Sequence, residues 1–559
     1  MAKERDRIVM IGLDGGTWTL LDPLLDEGHM PNLAALRDRG SHGVLKSTIP
    51  PVTAPAWATF MTGKNPGKHG ILHFFKLAAN FEDTQLSIYD EEIVNYAAIK
   101  EPTLFQVLKG SGKRVGSINL PMTYPPEDLD GFLVSCWLTP PGAKRFTTPP
   151  ELAEQLGDYR IDQYFGEDKY ALAPPGAEFE CEAFFADIMD VLEKRAAATL
   201  KMMNEQEWDL FMMVFTETDR VQHAYWRALD PQGEISPEVA RERELCLAFY
   251  RRLDQHIGAL VDAAGPEATL FMASDHGFGP PPSRRASLNF WLRSQGWLNL
   301  KDLGPMDALA RAIVFSPSIR PLVPKGLLNR LRRFVSGGAG RMENAHRVDW
   351  KQSRAWSINL NNYHGGIFLA PGIQGEARDA LRAEIAAGLE TLTDPATGER
   401  LVDRVMTRED VFQGPCAVGF PDLVVRLKRN YEAGPEGGFD VLRKELVPAE
   451  VPHPDGRGDH TQEGMYVVAG KLARDAVGEG PEFDLQDMMP TFLYLLDQAL
   501  PSDLDGKVMS AALDHGLTAS RPVRTTDETD FAPRSTAEPE ASDEEAEAIR
   551  RKLQELGYM

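Results

Sequence analysis

Five short stretches carry residue types that could meet at one reactive centre. TETDRVQH places Asp219 and His223 four residues apart, so on a helix both side chains leave the same face toward one point. A carboxylate and an imidazole at that spacing suit a divalent metal ion, although an isolated pair of this kind is ordinarily an N-capping Asp and a surface His. SDHG sets Asp275 and His276 side by side after the apolar run ATLFMA. Neighbours on a regular strand face opposite ways, so both reach one cation only if the chain turns there, which Gly277 permits. Asp14 ends the run IVMIGL ahead of Gly15 and Gly16, and His460 lies in the Gly-rich GRGDHTQEG, with His453 competing for its role. Thr53 sits in the Pro-braced STIPPVTAP, just before the helical ATFMTG. A hydroxyl at a helix start is usually a cap, but free amides there stabilise an anion, and a nearby metal can make it a nucleophile.

Gathering such residues requires strand ends on one edge of a sheet. RIVMIGLDGG, DLFMMVFTETD and ATLFMASDHG are apolar runs that each stop at acidic residues, and the carboxyl ends of buried parallel strands are where α/β folds collect ligands. Helical stretches alternate with them: HMPNLAALRDRG, TLFQVLKGSG, and the segment from Glu178 to Glu205. VLKGSGKRVGSINLPMTYPP has the form helix, Gly cap, strand, turn. The expected architecture is an α/β fold with a mostly parallel sheet between two helical layers. Two stretches interrupt the alternation. Residues 125–177 are rich in Pro, Gly and aromatics and read as an insertion, and 280–452 reads as an inserted cap or lid, because Asp275 and His276 must rejoin His460. Residues 1–279 and 453–515 then form the catalytic core, in which FDLQDMMPTFLYLLDQAL reads as an amphipathic core helix. Residues 516–540 read as an acidic linker and 541–559 as an amphipathic helix, suited to docking on its own core or to joining copies into a homo-oligomer.

Composition narrows the functional classes. A hydrophobic share of 43% with nine Trp supports a large core and excludes global disorder. Sixty Lys plus Arg against 83 Asp plus Glu give a formal charge of -23, which repels duplex nucleic acid. An anionic substrate therefore needs a local positive focus, and bound divalent cations would supply it. The four cysteines are far apart, as in a chain with reduced thiols, and the apolar run after the charged MAKERDR is too short for a signal or a membrane span. A cytoplasmic location is expected.

Taken in order, strand-end Asp14, Pro-flanked Thr53, the Asp219 and His223 pair, Asp275 with His276, and the late His460 resemble the alkaline-phosphatase superfamily. The resemblance is specifically to its type I phosphodiesterase and nucleotide pyrophosphatase branch, and runs from GLDGG through GDH to about Gly506. It implies an alkaline-phosphatase-like three-layer α/β/α sandwich and two divalent ions. Asp219, His223 and His460 would hold one; Asp14, Asp275 and His276, with Thr53, would hold the other. Zinc is the family's usual metal, and Mn²⁺ also suits this nitrogen and oxygen set. The implied reaction is attack by Thr53 on a small phosphate ester, a nucleotide among the candidates, followed by hydrolysis of a phospho-Thr53 intermediate.

Nucleotide pyrophosphatases carry T-x-P-N at the nucleophile, whereas here Thr53-Ala54-Pro55 is followed by Ala56 and Trp57. The amide that would hold a phosphate oxygen is missing, and Asn361 or Asn362 in NLNNYHGG is the candidate replacement. This departure brings the resemblance nearer to bacterial and archaeal cytoplasmic phosphohydrolase or phosphomutase-like members. A phosphodiesterase is expected, with a phosphomonoesterase or a phosphoglycerate-mutase-like phosphotransferase as alternatives. A sulfatase would need Cys or Ser in place of Thr53 and Arg in place of Trp57. A non-catalytic scaffold on the same fold would have no need of the seven residues.

Overall fold

Alternating side-chain direction along the first strand, which is buried on both faces, sets up the layers. In β1 (Arg7–Leu13), Val9, Ile11 and Leu13 enter one buried apolar cluster while Ile8 and Met10 enter another, as the two-residue period of a strand requires. The computed structural model describes residues 6–77, 89–140, 142–162, 181–233, 236–301, 347–434, 441–449, 457–475 and 478–527, with isolated positions at 313, 323, 327, 549 and 553. After β1 the chain forms β2 (Ser41–Lys46), β3 (Val115–Ile118), β4 (Gly131–Val134), β5 (Thr147–Thr148), β6 (Leu210–Phe215) and β7 (Ala268–Ala273). A three-residue strand, β8 (Gly277–Gly279), follows, and beyond it β9 (Ala355–Asn361), β10 (His364–Leu369), β11 (Val402–Thr407) and β12 (Leu423–Leu427) make a separate antiparallel sheet in the order β9-β10-β12-β11. The chain returns through β13 (Asp459–Thr461), which pairs with β8, and β14 (Glu463–Gly470), then ends in β15 (Gly478–Glu479) and β16 (Phe483–Asp484).

The central sheet has ten strands in the order β15-β2-β14-β7-β1-β6-β3-β4-β5, with β16 beside β2. β7, β1, β6, β3 and β4 are mutually parallel, and β14 runs antiparallel between β7 and β2. Helices α1 (Trp18–Asp26) and α2 (Pro31–Arg39) pack on the Val9 face, and α3 (Thr53–Thr62) on the Ile8 face. α4 (Cys181–Glu205), α5 (Glu217–Leu229) and α6 (Pro237–Ala264) return to the Val9 face; α7 (Gly375–Glu390) covers the four-stranded sheet; α8 (Met488–Leu495) joins α3. Phe492 of α8 sits edge-on to both Phe60 of α3 and Phe271 of β7, at 5.9 and 5.1 Å between ring centres. Buried phenylalanines of this kind stabilise the fold by roughly 1.5–3 kcal/mol each. The result is the expected three-layer α/β/α sandwich.

Three expectations need correction. The Pro- and Gly-rich stretch 125–177 is not wholly an insertion: β4 continues the parallel sheet and β5 closes its edge. The four residues GFLV, bracketed by turn formers, are too few to show a period. Residues 163–180, which include the expected helix start at Glu178, lie outside the described residues. The linker does not begin at 516, because residues 515–520 are helical and Thr525–Thr526 pair in parallel with Leu500–Pro501. Arg521 holds this segment down by donating to the carbonyls of Tyr494 and Leu495, which end α8. α8 itself is buried on every side rather than amphipathic. Of the stretch 541–559, expected to be a helix, only Ile549 and Leu553 are described, and both are buried in the cluster that contains α3 and α8. Among the described residues no helix is long and apolar enough to cross a membrane.

Candidate active site

Strand ends and two local devices bring the seven residues together. Asp14 directly follows β1, and Asp275 and His276 follow β7, its parallel neighbour. Ser274 ties these ends by donating to the Gly16 carbonyl and accepting from Met465 N–H, both at 2.7 Å. β6 lies on the other side of β1 and leads into α5, whose first turns carry Asp219 and His223. Thr218 clamps α5 to β1 with a 2.6 Å hydrogen bond to the Asp14 carbonyl. The helix is distorted only beyond the pair, at Tyr225, so the four-residue spacing keeps its regular geometry. His460 arrives on β13, opposite Phe278 of β8. Thr53 is the first residue of α3.

Two groups result. In the first, Asp219 Oδ1 lies 3.4 Å from His223 Nε2 and 3.2 Å from His460 Nε2, and the two imidazole nitrogens are 2.9 Å apart. In the second, His276 Nε2 lies 3.6 Å from Asp14 Oδ1, 3.3 Å from Asp275 Oδ2 and 3.3 Å from Thr53 Oγ1. The rings of His276 and His460 stack at 3.6 Å between centres, so the groups adjoin. Six of the seven residues are at most 2% exposed, and the His223 side chain, 20% exposed, marks the open side.

Proton placement tells what the groups can hold. His223 Nδ1 meets the Gly458 carbonyl at 3.2 Å, His460 Nδ1 meets that of Pro51 at 3.0 Å, and His276 Nδ1 meets that of Gly277 at 3.1 Å. A carbonyl oxygen only accepts, so each Nδ1 carries a hydrogen, and in the neutral ring each Nε2 presents its lone pair inward. Within the first group Asp219 Oδ1 and the two Nε2 atoms thus converge on one point, at separations that need a shared proton or a cation among them. In the second group Asp14 Oδ1 and Asp275 Oδ2 are buried without a hydrogen-bond partner among the described residues. Both groups keep their ligand atoms within 4.8 Å of one another and fit a divalent ion.

The electrostatics agree. Burial, with Asp275 and Asp219 nearby, raises Asp14 well above the usual carboxylate range, and burial pushes Asp275 up to about 7 against the Gly15 N–H that holds its other oxygen. Burial brings His223 down to about 4 and, with His460, drives His276 well below its ordinary value. His460 goes the other way: burial opposes its charge, but the bond to Asp219 and that carboxylate's charge prevail. Asp219 is correspondingly held low, since His223, His460 and Arg220 overcome its burial. The first group attracts positive charge and the second is short of it.

Other expected residues lie further out. Asn361 and Asn362 form the tip between β9 and β10, buried, and make no described contact with the seven. Their nearest described link is Tyr363, whose Oη accepts from Gln462 N–H at 3.2 Å, two residues past His460. His453 lies outside the described residues. Sequence reasoning missed Arg220, which donates to Asp219 Oδ2 at 2.9 Å, and the three backbone carbonyls behind the imidazoles. Arg220 adjoins a recognised residue and could have been noticed; carbonyl positions have no sequence signal.

A sandwich of this kind, with its polar cluster at the strand ends, has the architecture of the alkaline-phosphatase-like enzymes. The family model for type I phosphodiesterase / nucleotide pyrophosphatase matches residues 8–322, more than half of the 559. The chain belongs to that family and is a hydrolase of phosphoric esters. Among solved structures it is similar to phosphonoacetate hydrolase from Sinorhizobium meliloti 1021, both in complex with phosphonoformate and in complex with phosphonoacetate. Each comparison has a TM-score of 0.50 at 18% identity and covers 88% of this chain and 95% of that one. That likeness is one of fold. No curated protein sequence matches the chain.

Proposed function

We propose that the protein is a metal-dependent phosphodiesterase that works through a phospho-Thr53 intermediate. Asp219, His223 and His460 would hold one divalent ion, and Asp14, Asp275 and His276 with Thr53 the other. Three imidazoles with three carboxylates suit Zn²⁺, and Mn²⁺ is compatible. The observation that carries this reading is the convergence of acceptor atoms described above: each Nε2 is aimed inward by a carbonyl behind it. When bound, the ions supply Lewis-acid stabilisation of phosphoryl oxygens and ease ionisation of the attacking hydroxyl.

Thr53 has the placement of a nucleophile. Its Oγ1 lies 3.3 Å from His276 Nε2, beside the place where the second ion would be held, and its position at the start of α3 surrounds a developing negative charge with helix N-terminal amides. Oγ1 attacks phosphorus, the ester alcohol leaves and takes up a proton, and water then cleaves the phosphorus–Oγ1 bond to release a phosphomonoester and restore Thr53. The test is a screen of metal-loaded protein on phosphodiesters and phosphomonoesters with Thr53→Ala as comparison. We expect diester turnover that vanishes in the variant while its metal content matches wild type. Retained turnover removes Thr53 from the role, and a preference for monoesters, or isomerisation without phosphate release, replaces the diesterase reading.

A further inference from the structure

Arg220 is 4% exposed and held by three separate parts of the chain. Its Nη1 donates to Asp219 Oδ2 at 2.9 Å, its Cζ lies 4.8 Å from the centre of the Trp137 ring, and its Nη2 is 3.6 Å from Asp162. Trp137 belongs to the loop between β4 and β5, and Asp162, also buried, to the segment ahead of α4. One guanidinium is thus fixed by an aromatic face, a carboxylate and the very residue it serves. The other oxygen of Asp219, Oδ1, is the one that faces His223 and His460.

We propose that Arg220 is a positioning residue for the first ion, an inference that rests on the two-ion reading above. By occupying Oδ2 it makes Asp219 a one-oxygen ligand and fixes the direction of Oδ1. A carboxylate with both oxygens open to cations can turn about its Cβ–Cγ bond and chelate through either or both. Charge-assisted donation to one oxygen removes that freedom. Lysine could not reproduce the arrangement, because a single ammonium cannot face the Trp137 ring, Asp162 and Asp219 Oδ2 at once as the separate nitrogens of a guanidinium do.

The experiment compares metal-free wild type, Arg220→Met and Arg220→Lys. Each is titrated with Zn²⁺ against a chromophoric chelator, and visible spectra are recorded after loading with Co²⁺. Wild type should take up two ions, and both variants should lose about 10–100-fold in affinity for one of them, with an altered Co²⁺ spectrum. Wild-type affinities and an unchanged spectrum in folded Arg220→Met overturn the inference. So does a variant that merely melts earlier while binding both ions normally, since that marks a role in folding alone. Should Arg220→Met fail to fold, the same measurements on Arg220→Lys decide. A wild type that binds no divalent ion overturns the two-ion reading and this inference with it, an outcome distinct from the others.

Discussion

The short ladder between β8 and β13 gives the sharpest mutational prediction. Gly277 pairs with Thr461 in it, immediately after His276 and one residue from His460 on the facing strand. A Cβ added at Gly277 would lie 2.1 Å from the Glu463 carbonyl oxygen and 2.6 Å from Thr461 Oγ1, where real contacts essentially never fall below 3.0 Å. The nearer obstacle is backbone at the start of β14, so it cannot rotate away, and β8 must move by about 1 Å, carrying its ladder with β13 along. A displacement of that size at a reacting centre costs about 100-fold in rate. Gly277→Ala should therefore lower kcat/KM on bis(4-nitrophenyl) phosphate by about two orders of magnitude and weaken one ion site in a Zn²⁺ titration. Overpacking should cost the fold only about 1–3 kcal/mol. Gly372→Ala, where an added Cβ meets nothing within 4 Å, is the control and should match wild type. Folded Gly277→Ala with wild-type kcat/KM would refute the idea that this ladder sets the spacing of His276 and His460.

Other expectations follow from buried charge and from the ions. Arg195 and Glu217 form a fully buried pair that also engages Thr216 and the Ile161 carbonyl; Arg195→Met should cost about 3–5 kcal/mol in urea unfolding, and Glu217→Gln added to it should restore part, so the absence of any recovery would sink this account. Burial keeps His69 neutral down to about 3, and burial with Arg426 does the same for His364, whereas an unfolded imidazole takes up a proton near 6.5. The unfolded chain thus binds more protons between those values, and stability is complete above about pH 6.5 and falls toward pH 3 by about 1.4 kcal/mol per pH unit for each histidine. His69→Gln should flatten that dependence in unfolding measured from pH 6.5 to 5, and an unchanged slope would count against it. Chelation should abolish turnover and lower apparent stability by about 4 kcal/mol per ion relative to ions at 1,000 times their Kd; identical melting curves with and without chelator would contradict the two-ion reading.

Much of this arrangement can be read from sequence because local periods generate it. Asp14, Asp275 and His276 sit where apolar strands end, and Asp219 with His223 needs only the pitch of a helix. His460 is different. Its position depends on a three-residue strand pairing with another across 184 positions from His276, and neither strand is long enough to show a pattern. β4 escapes notice for a similar reason, being four residues between turn-forming segments. The carbonyls of Pro51, Gly458 and Gly277, which aim the three imidazoles, belong to the backbone, so no residue type announces them. The four-stranded sheet of the 280–452 segment was recognisable only as an excursion, since its strands serve a core that only the folded chain assembles. Asn361 and Asn362 show the converse: a plausible residue type, set at a hairpin tip with only an indirect link to the centre.

The ladder has one further consequence. β8 opens the excursion to the four-stranded sheet and β13 closes it, and the two pair with each other. The inserted segment is a length of chain tied at its neck, and the knot is the piece of backbone that carries His460 and extends from His276. Strain placed on the segment reaches these two imidazoles along the backbone of the neck, beside the contacts of Gln413 and Cys416 with Asn65 and Lys68. Reciprocity then follows from thermodynamics: a ligand that binds more tightly at one placement of the neck changes ion affinity by the same factor by which the ions change its own.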